Sequence, residues 1–154
     1  MSRRPEMKPL KIEPKEVDKL FFDDENPRLT AIGDARTQDQ LLQVLWDEMA
    51  VSEVALSIAA NGYFPEEPML VIPREGTGDR YTVVEGNRRL AAVKLLCDEE
   101  LRRIIKATEL PKITAAQRRD LEKLPVSIYP DRKALWEFFG FRHVNGPKEW
   151  DSLS

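Results

Sequence analysis

The sequence has very few of the residues that bind metals or form disulfides. It contains one cysteine, Cys97, and one histidine, His143. A single cysteine excludes an internal disulfide and a multi-cysteine zinc site, and a single histidine excludes a histidine-rich metal site. Because disulfide-free chains are typical of reducing compartments, we expect a cytoplasmic protein.

The sequence also lacks a long apolar run and an excess of charge of one sign. No segment approaches the ~20 apolar residues of a membrane-spanning helix, and no apolar stretch follows the charged N-terminus, so we predict no membrane partner and no secretory signal. The 24 Lys and Arg residues against 27 Asp and Glu give a net charge of -3. This balance argues against a surface that coats nucleic acid, since such a surface is normally basic over a whole face. With 154 residues, 42% of them hydrophobic, the chain can bury one core.

The order of turn signals and hydrophobic periodicity predicts an α+β domain, a small mixed sheet flanked by helices. Residues 1–16 are highly charged and contain three prolines, which predicts a flexible N-terminal arm, and residues 17–154 form the predicted domain. The last residues are compatible with a piece of a longer chain. The predicted strands are Val17–Leu20, Met69–Pro73, Arg80–Glu85 and Val126–Tyr129. Two predicted helices begin after the capping residues Thr37 and Ser52. A long helix follows Gly86, with a possible break at Asp98–Glu100. Two more helices are predicted at Ala115–Lys123 and at Arg132–Phe139, the second of which ends at Gly140.

The most informative stretch is the passage from strand to helix between Tyr81 and Ala92. Gly86 permits a sharp turn and close approach of a ligand, and Asn87 stands where an N-cap belongs. The first N–H groups of a helix lack partners and carry the positive end of the dipole, which favours an anion there. Arg88 and Arg89 are unfavourable at that end of a helix. A bound phosphate would compensate, and pairing with neighbouring Asp or Glu on a solvated surface is the alternative.

The segment from Gly86 to Ala92 resembles the Gly-x-Arg-Arg-x-x-Ala box of the ParB/sulfiredoxin-like superfamily. Other segments follow the order of that family. Asn26-Pro27-Arg28 is similar to its Asn-Pro-x-Arg segment. Leu56-Ser57-Ile58, with Asn61-Gly62 and Pro65 behind it, is similar to its Ser-Ile-x-x-x-Gly-x-x-x-Pro stretch, with a shift of about one residue. The resemblance covers about residues 17–150.

This resemblance implies nucleotide binding. ParB proteins of chromosome and plasmid segregation bind CTP at this box and hydrolyse it slowly while they close a clamp on DNA. Sulfiredoxins and free-serine kinases are relatives that bind ATP or ADP, and other relatives are described as nucleases. Carried over by position, Gly86, Arg88 and Arg89 would hold phosphates, and Asn61 and Gly62 would face the same pocket.

Two departures from the family pattern bear on the chemistry. ParB usually has Glu directly after the glycine, whereas this chain has Asn87 there. Asn87 is therefore one of the predicted nucleotide ligands. The acidic residue of this chain stands before the glycine, as Glu85. Glu85 is therefore the predicted catalytic carboxylate and Mg²⁺ ligand, with an ion pair to Arg88 or Arg89 as the alternative. Sulfiredoxins have their reactive cysteine after the glycine, but Cys97 lies at an apolar helical position, where we expect it in the core.

The segment 141–146 lies roughly where ParB has Glu-Asn-x-Gln-Arg, which completes its nucleotide site. Arg142 is therefore a predicted nucleotide ligand. His143 is a predicted proton carrier, because histidine titrates near neutral pH, and a purely structural histidine is the alternative.

Four functions stay open at this point. The first is a nucleotide-binding switch or slow NTPase, with CTP or ATP and Mg²⁺, in a DNA-associated process. The others are a small-molecule phosphotransferase, a nuclease, and an interaction module. Because no helix-turn-helix with a basic recognition helix is visible, we expect any DNA contact to use an additional domain. A homodimer is compatible with the resemblance.

Overall fold

The computed structural model describes residues 12–30, 37–76 and 78–144, with side chains described up to residue 138. The strands in this part of the chain are β1 Ile12–Glu16, β2 Leu20–Phe22, β3 Met69–Pro73, β4 Tyr81–Glu85 and β5 Lys123–Ile128. Its helices are α1 Pro27–Thr30, α2 Gln38–Glu48, α3 Val51–Asn61, α4 Asn87–Cys97, α5 Glu99–Ile105, α6 Ala115–Asp120 and α7 Arg132–Val144.

The strands form one mixed sheet in the order β1-β5-β3-β4-β2. β1 and β5 are antiparallel, as are β3 and β4, whereas β5 with β3 and β4 with β2 are parallel. The predicted α+β class with a small mixed sheet is confirmed. The predicted hairpin is also confirmed, since β3 and β4 are antiparallel neighbours and the Arg74 N–H donates to the Arg80 carbonyl at 2.9 Å next to their paired ends.

β1 corrects the prediction for the N-terminal arm. Its residues were assigned to a flexible arm, yet Ile12 pairs with Ser127 and Glu16 pairs with Lys123 along β5. Charged residues and Pro14 give this segment no hydrophobic signal, and a proline is tolerated because β1 lies at the edge of the sheet. Residues 1–11 of the predicted arm lie outside the described residues.

Two other strands are displaced from their predicted positions. Residues 17–19, predicted as strand, form one turn of 3-10 helix, and the strand begins only at Leu20. The last strand begins at Lys123 and ends at Ile128, so it includes Pro125. This proline is accommodated because pairing with β3 starts only at Val126.

The starts of several helices were predicted correctly from capping residues in the sequence. The Thr37 hydroxyl accepts a hydrogen bond from the Gln40 N–H at 3.1 Å, and the Gln40 side chain accepts one from the Thr37 N–H at 3.0 Å. Thr114 begins α6 with the same reciprocal pair. The predicted break after α4 is confirmed, because the Asp98 carboxylate caps α5 by accepting from the Leu101 N–H.

Three helix ends differ from the predictions. α3 begins at Val51 rather than after Ser52, and Ala50 takes the left-handed conformation before it with φ 54°. α6 ends at Asp120 rather than Lys123. α7 continues through Gly140 to Val144, since one interior glycine costs a helix only about 1 kcal/mol.

The two faces of the sheet carry two separate apolar clusters. Val83 belongs to the main core with α2, α3 and α4, whereas its neighbour Val84 belongs to a smaller cluster with Leu135 of α7. Successive strand residues point to opposite faces, so α4 and α7 lie on opposite sides of β4. This arrangement leaves the carboxyl end of β4 between the two helices. Among the described residues, no helix has both the length and the apolar character that a membrane crossing requires.

Candidate functional site

The site is built on an abrupt turn at Gly86 between β4 and α4. Gly86 has φ +113°, in the left-handed region that favours glycine. A Cβ atom at this position would lie 2.5 Å from Cγ and 3.1 Å from Cβ of Met69 on β3. The close approach that the glycine permits is therefore to Met69. It allows α4 to begin directly at the end of β4.

Asn87 is buried and holds two parts of the backbone together. Its Nδ2 donates to the Val83 carbonyl at 2.9 Å, and its Oδ1 accepts from the Asp23 N–H at 3.3 Å. The prediction that Asn87 is the N-cap is wrong, because Gly86 occupies that position and Asn87 is the first helical residue. Its role as a nucleotide ligand stays a prediction, since its side-chain amide already binds these two backbone groups.

Arg88 and Arg89 are anchored to carbonyl groups. Arg88 Nη2 donates to the Ala50 carbonyl at 3.4 Å. Arg89 Nη1 donates to the Glu67 carbonyl, and its guanidinium lies 5.7 Å from the centre of the Tyr63 ring. Both side chains also line the cavity beside this turn, where they are candidates to bind an anion.

A cavity of about 290 Å³ opens beside this turn. Its polar wall consists of Asn26, Arg28, Glu67 and the box residues Glu85–Arg89, and its apolar wall includes Leu29, Leu45 and Met49. A second cavity, of about 310 Å³, shares Asn26, Arg28, Val84 and Glu85 with the first and extends to Arg132 and Trp136. The two cavities therefore meet along Arg28 and Glu85.

Arg28 is a site residue that the sequence analysis did not name as one. The Asn26 side chain accepts from the Arg28 N–H at 2.8 Å and begins the short helix α1 with Pro27 as its first residue. The positive charge of Arg28 is close enough to Glu85 to oppose part of the rise in the pKa of the Glu85 carboxyl that burial causes. The signal was present in the Asn26-Pro27-Arg28 segment, which was used for the resemblance alone.

Burial raises the pKa of Glu85 above its usual value. The charges of Arg28 and Arg89 and the Gly86 N–H oppose this shift. A carboxyl with a raised pKa, beside cations and open to a cavity, has the properties of a proton-transfer group. The described residues contain no cluster of three metal-ligating side chains. Glu85 nevertheless fits Mg²⁺, because that ion is commonly held by one or two carboxylates together with substrate phosphates.

The structure does not bring Asn61 and Gly62 to this site. Both are exposed at the end of α3, and Gly62 lines a separate cavity of about 390 Å³ with Tyr63 and Pro65. Neither residue lines the two cavities beside the box, and their role as nucleotide ligands stays a prediction. The segment reaches the box through the Tyr63 ring and the Glu67 carbonyl instead.

Three further predicted residues lie away from the box or cannot be placed. Arg142 and His143 belong to α7, but their side chains lie outside the described residues. Cys97 is partly buried and packs against the main core, in agreement with its predicted place. Burial raises the pKa of its thiol, which favours the protonated, unreactive form.

The family model of the ParB N-terminal domain matches residues 28–119 of this chain. The chain belongs to this family. The match begins at Arg28 and includes the whole box, so it covers the residues that line the cavity except Asn26. No curated protein matches the chain.

A solved structure of similar fold is the C-terminally truncated chromosome-partitioning protein ParB from Caulobacter crescentus, complexed with CTP-gamma-S. It has 21% sequence identity to this ParB N-terminal domain and a TM-score of 0.49, over 90% of this chain and 55% of that one. The chain thus spans about half the length of that protein.

We predict that Gly86→Ala destabilises the protein more than Gly62→Ala. Gly62 (φ 85°, ψ 172°) and Gly86 (φ 113°, ψ 17°) both have backbone conformations that strain an alanine by about 1–3 kcal/mol, but only the new Cβ at Gly86 meets a neighbour. Overpacking against Met69 adds about 1–3 kcal/mol, measurable as a difference in urea unfolding. In a Met69→Ala background, which removes the Cγ at 2.5 Å but keeps the Cβ at 3.1 Å, this excess should shrink. Equal losses for the two variants in the native background would contradict the packing role of Gly86.

We also predict that the stability difference between wild type and Glu85→Gln depends on pH. With a raised pKa, the folded protein holds the Glu85 proton more tightly than the unfolded chain. This contribution is complete below the ordinary glutamate pKa of about 4.3 and is lost as the pH rises through the higher folded pKa. Wild type should therefore lose stability relative to Glu85→Gln between acidic and neutral pH in urea titrations. A difference that grows in favour of wild type as the pH rises would contradict the effect.

Proposed function

We propose that this domain binds the phosphates of a nucleoside triphosphate, CTP or ATP, and works as a nucleotide-dependent switch with slow hydrolysis. The observation that carries the proposal is the convergence of Arg28, Arg88 and Arg89 on one cavity at the N-terminus of α4. Two of these arginines come from the box, and the third comes from a segment distant in sequence. Such convergence of cations on one concave surface is typical of a polyanion site.

The geometry of α4 supports the same ligand. The helix has 11 residues, and its first N–H groups stand at the cavity wall beside Gly86 and Asn87. They present the positive end of the helix dipole to a bound anion. The two adjoining cavities, of about 290 and 310 Å³, provide volume for a ligand larger than a phosphate group. We place the phosphates at the arginines and leave the choice of base to experiment.

Glu85 is the proposed catalytic carboxylate and the proposed contact to Mg²⁺. It lies between the two cavities, so it would contact either the metal or a water molecule near the phosphates. Mg²⁺, when bound, would neutralise phosphate charge and polarise the phosphorus–oxygen bonds. Glu85 alone would then accept the proton of an attacking water, and a single carboxylate of this kind supports only slow turnover.

The raised pKa of Glu85 favours a second candidate, phosphoryl transfer to a small molecule. In that case Glu85 would accept the proton of the acceptor hydroxyl, and the second cavity beside Trp136 would hold the acceptor.

Membership in the ParB family supports a role beside DNA in chromosome or plasmid partition. Because the chain has a net charge of -3, we propose that any contact with DNA uses an additional domain. A homodimer and a reducing, cytoplasmic environment are further proposals that the family makes reasonable.

The binding site is tested by thermal shifts with CTP, ATP, ADP and GTP, with and without Mg²⁺. A nucleotide that binds the folded state raises its melting temperature by mass action. Arg88→Ala and Arg89→Ala should each weaken binding by about 1.5–3 kcal/mol, since charged hydrogen bonds are lost. Arg103→Ala is the matched control, because that arginine is 73% exposed and pairs with Glu100 away from the cavity. Nucleotide affinity that is equal in wild type and the Arg88/Arg89 double variant would refute the site.

Turnover is tested by phosphate release in the presence of Mg²⁺, with and without DNA. Glu85→Gln should abolish release and retain much of the nucleotide affinity, because the amide keeps the shape of the side chain but cannot accept the proton. Glu100→Gln on the exposed face of α5 is the control. Undiminished hydrolysis in Glu85→Gln would show that the carboxylate has no catalytic part. Tight binding without any hydrolysis by wild type would favour a binding module.

A further inference from the structure

We infer that Arg132 is a positioning residue for the nucleotide site. Through the buried carboxylate of Asp23, it fixes the segment 23–28 so that Arg28 faces the box. The consequence for nucleotide affinity rests on the proposed function, whereas the fixing of the segment does not. Arg132 lies on α7, on the opposite side of β4 from α4, and nothing in the resemblance pointed to it.

The contact between Arg132 and Asp23 is a two-pronged ion pair. Arg132 Nη1 donates to Asp23 Oδ2 at 2.8 Å, and Nη2 donates to Oδ1 at 2.7 Å. The side chain of Asp23 is 2% exposed and that of Arg132 is 29% exposed. A buried carboxylate is costly unless it is paired, and two parallel hydrogen bonds allow one relative orientation. Asp23 in turn raises the pKa of Arg132, as expected of a strong hydrogen-bonded partner.

A short series of hydrogen bonds leads from this carboxylate to Arg28. Asp23 Oδ1 also accepts from the Glu25 N–H at 3.0 Å, and the Asp23 carbonyl accepts from the Asn26 N–H at 3.3 Å. Asn26 then accepts from the Arg28 N–H at 2.8 Å and begins α1. The orientation of the Asp23 carboxylate therefore sets the turn from which Arg28 extends into the cavity.

The other side of Asp23 is attached to the box. Its N–H donates to Asn87 Oδ1 at 3.3 Å, and Asn87 is bound to Val83 of β4. Asp23 is thus held between α7 and the first residue of α4. Losing Arg132 would remove the link to α7 and leave the buried Asp23 carboxylate without this cation.

The alternative is that Arg132 binds the nucleotide itself, since it lines the second cavity. Its contacts argue against this role. Both terminal nitrogens face Asp23, and Nε lies 3.5 Å from a carboxylate oxygen of Glu25. A guanidinium held by two carboxylates in this way acts on the site through Asp23.

The test is a titration with CTP and with ATP, in the presence of Mg²⁺, of variants on both sides of the ion pair. Arg132→Ala and Asp23→Asn should each weaken binding about tenfold, and Lys133→Ala, at the next and exposed position of α7, should not. In an Arg28→Ala background, Arg132→Ala should add little further loss. If Arg132 contacted the nucleotide directly, Asp23→Asn would release it and preserve or raise affinity. That result, or fully additive losses for Arg28 and Arg132, would overturn the inference.

A second measurement separates this inference from the proposed function and from general destabilisation. In amide NMR spectra, Arg132→Lys, which keeps the charge and loses the two-pronged geometry, should move the signals of Arg28, Leu29 and Thr30. The signals of Leu45 and Gly62, in α2 and after α3, should stay in place. Unmoved signals at Arg28–Thr30 would overturn the positioning role. Wild-type protein that binds none of the nucleotides would refute the proposed function, and these spectra would still decide whether Arg132 fixes the segment.

Discussion

The structure depends on the close contact between Gly86 and Met69. Because no side chain separates the backbone of the turn from β3, α4 begins directly at the end of β4. This geometry places the first N–H groups of an 11-residue helix, two arginines and the Glu85 carboxyl on one cavity wall. The amide of Asn87 then fastens the end of β2 to the same turn, which brings the Arg28 segment to the opposite wall. One compact turn thus determines which charges meet.

The charges at the cavity differ in sign and character from the chain as a whole. The net charge is -3, yet three arginines face a cavity whose wall contains two glutamates, the exposed Glu67 and the partly buried Glu85. Two of those arginines donate hydrogen bonds to backbone carbonyls. A phosphate can take the place of these carbonyls as the acceptor, and because a carbonyl is neutral, no buried charge is then left unpaired. An ionised Glu85 repels a bound anion. This repulsion is removed when Glu85 is protonated, and it is offset when Glu85 and the anion bind the same cation. Its raised pKa and its suitability for Mg²⁺ are two ways in which the site can accept a polyphosphate.

Much of this arrangement could be predicted from sequence where the cause is local. The capping boxes at Thr37 and Thr114 and the break at Asp98 depend on residues within three positions of one another, and the box is a continuous segment. Features that depend on distant partners were missed. β1 forms because β5 offers its backbone, and the Arg132–Asp23 pair joins residues 109 positions apart. Neither has a local signature, since Ile12–Glu16 is charged and Arg132 is an ordinary first-turn residue of a helix.

The central claim, that the turn at Gly86 is a phosphate-binding site, is tested most directly by following backbone amide signals during a nucleotide titration. The account predicts saturable shifts centred on the amides of Asn87, Arg88 and Arg89, with smaller ones at Arg28, and the same pattern for the triphosphates of different bases. A separate cavity of about 580 Å³ is lined by Lys94 and Cys97. Shifts centred on that cavity, or no saturable shift at all, would contradict the claim.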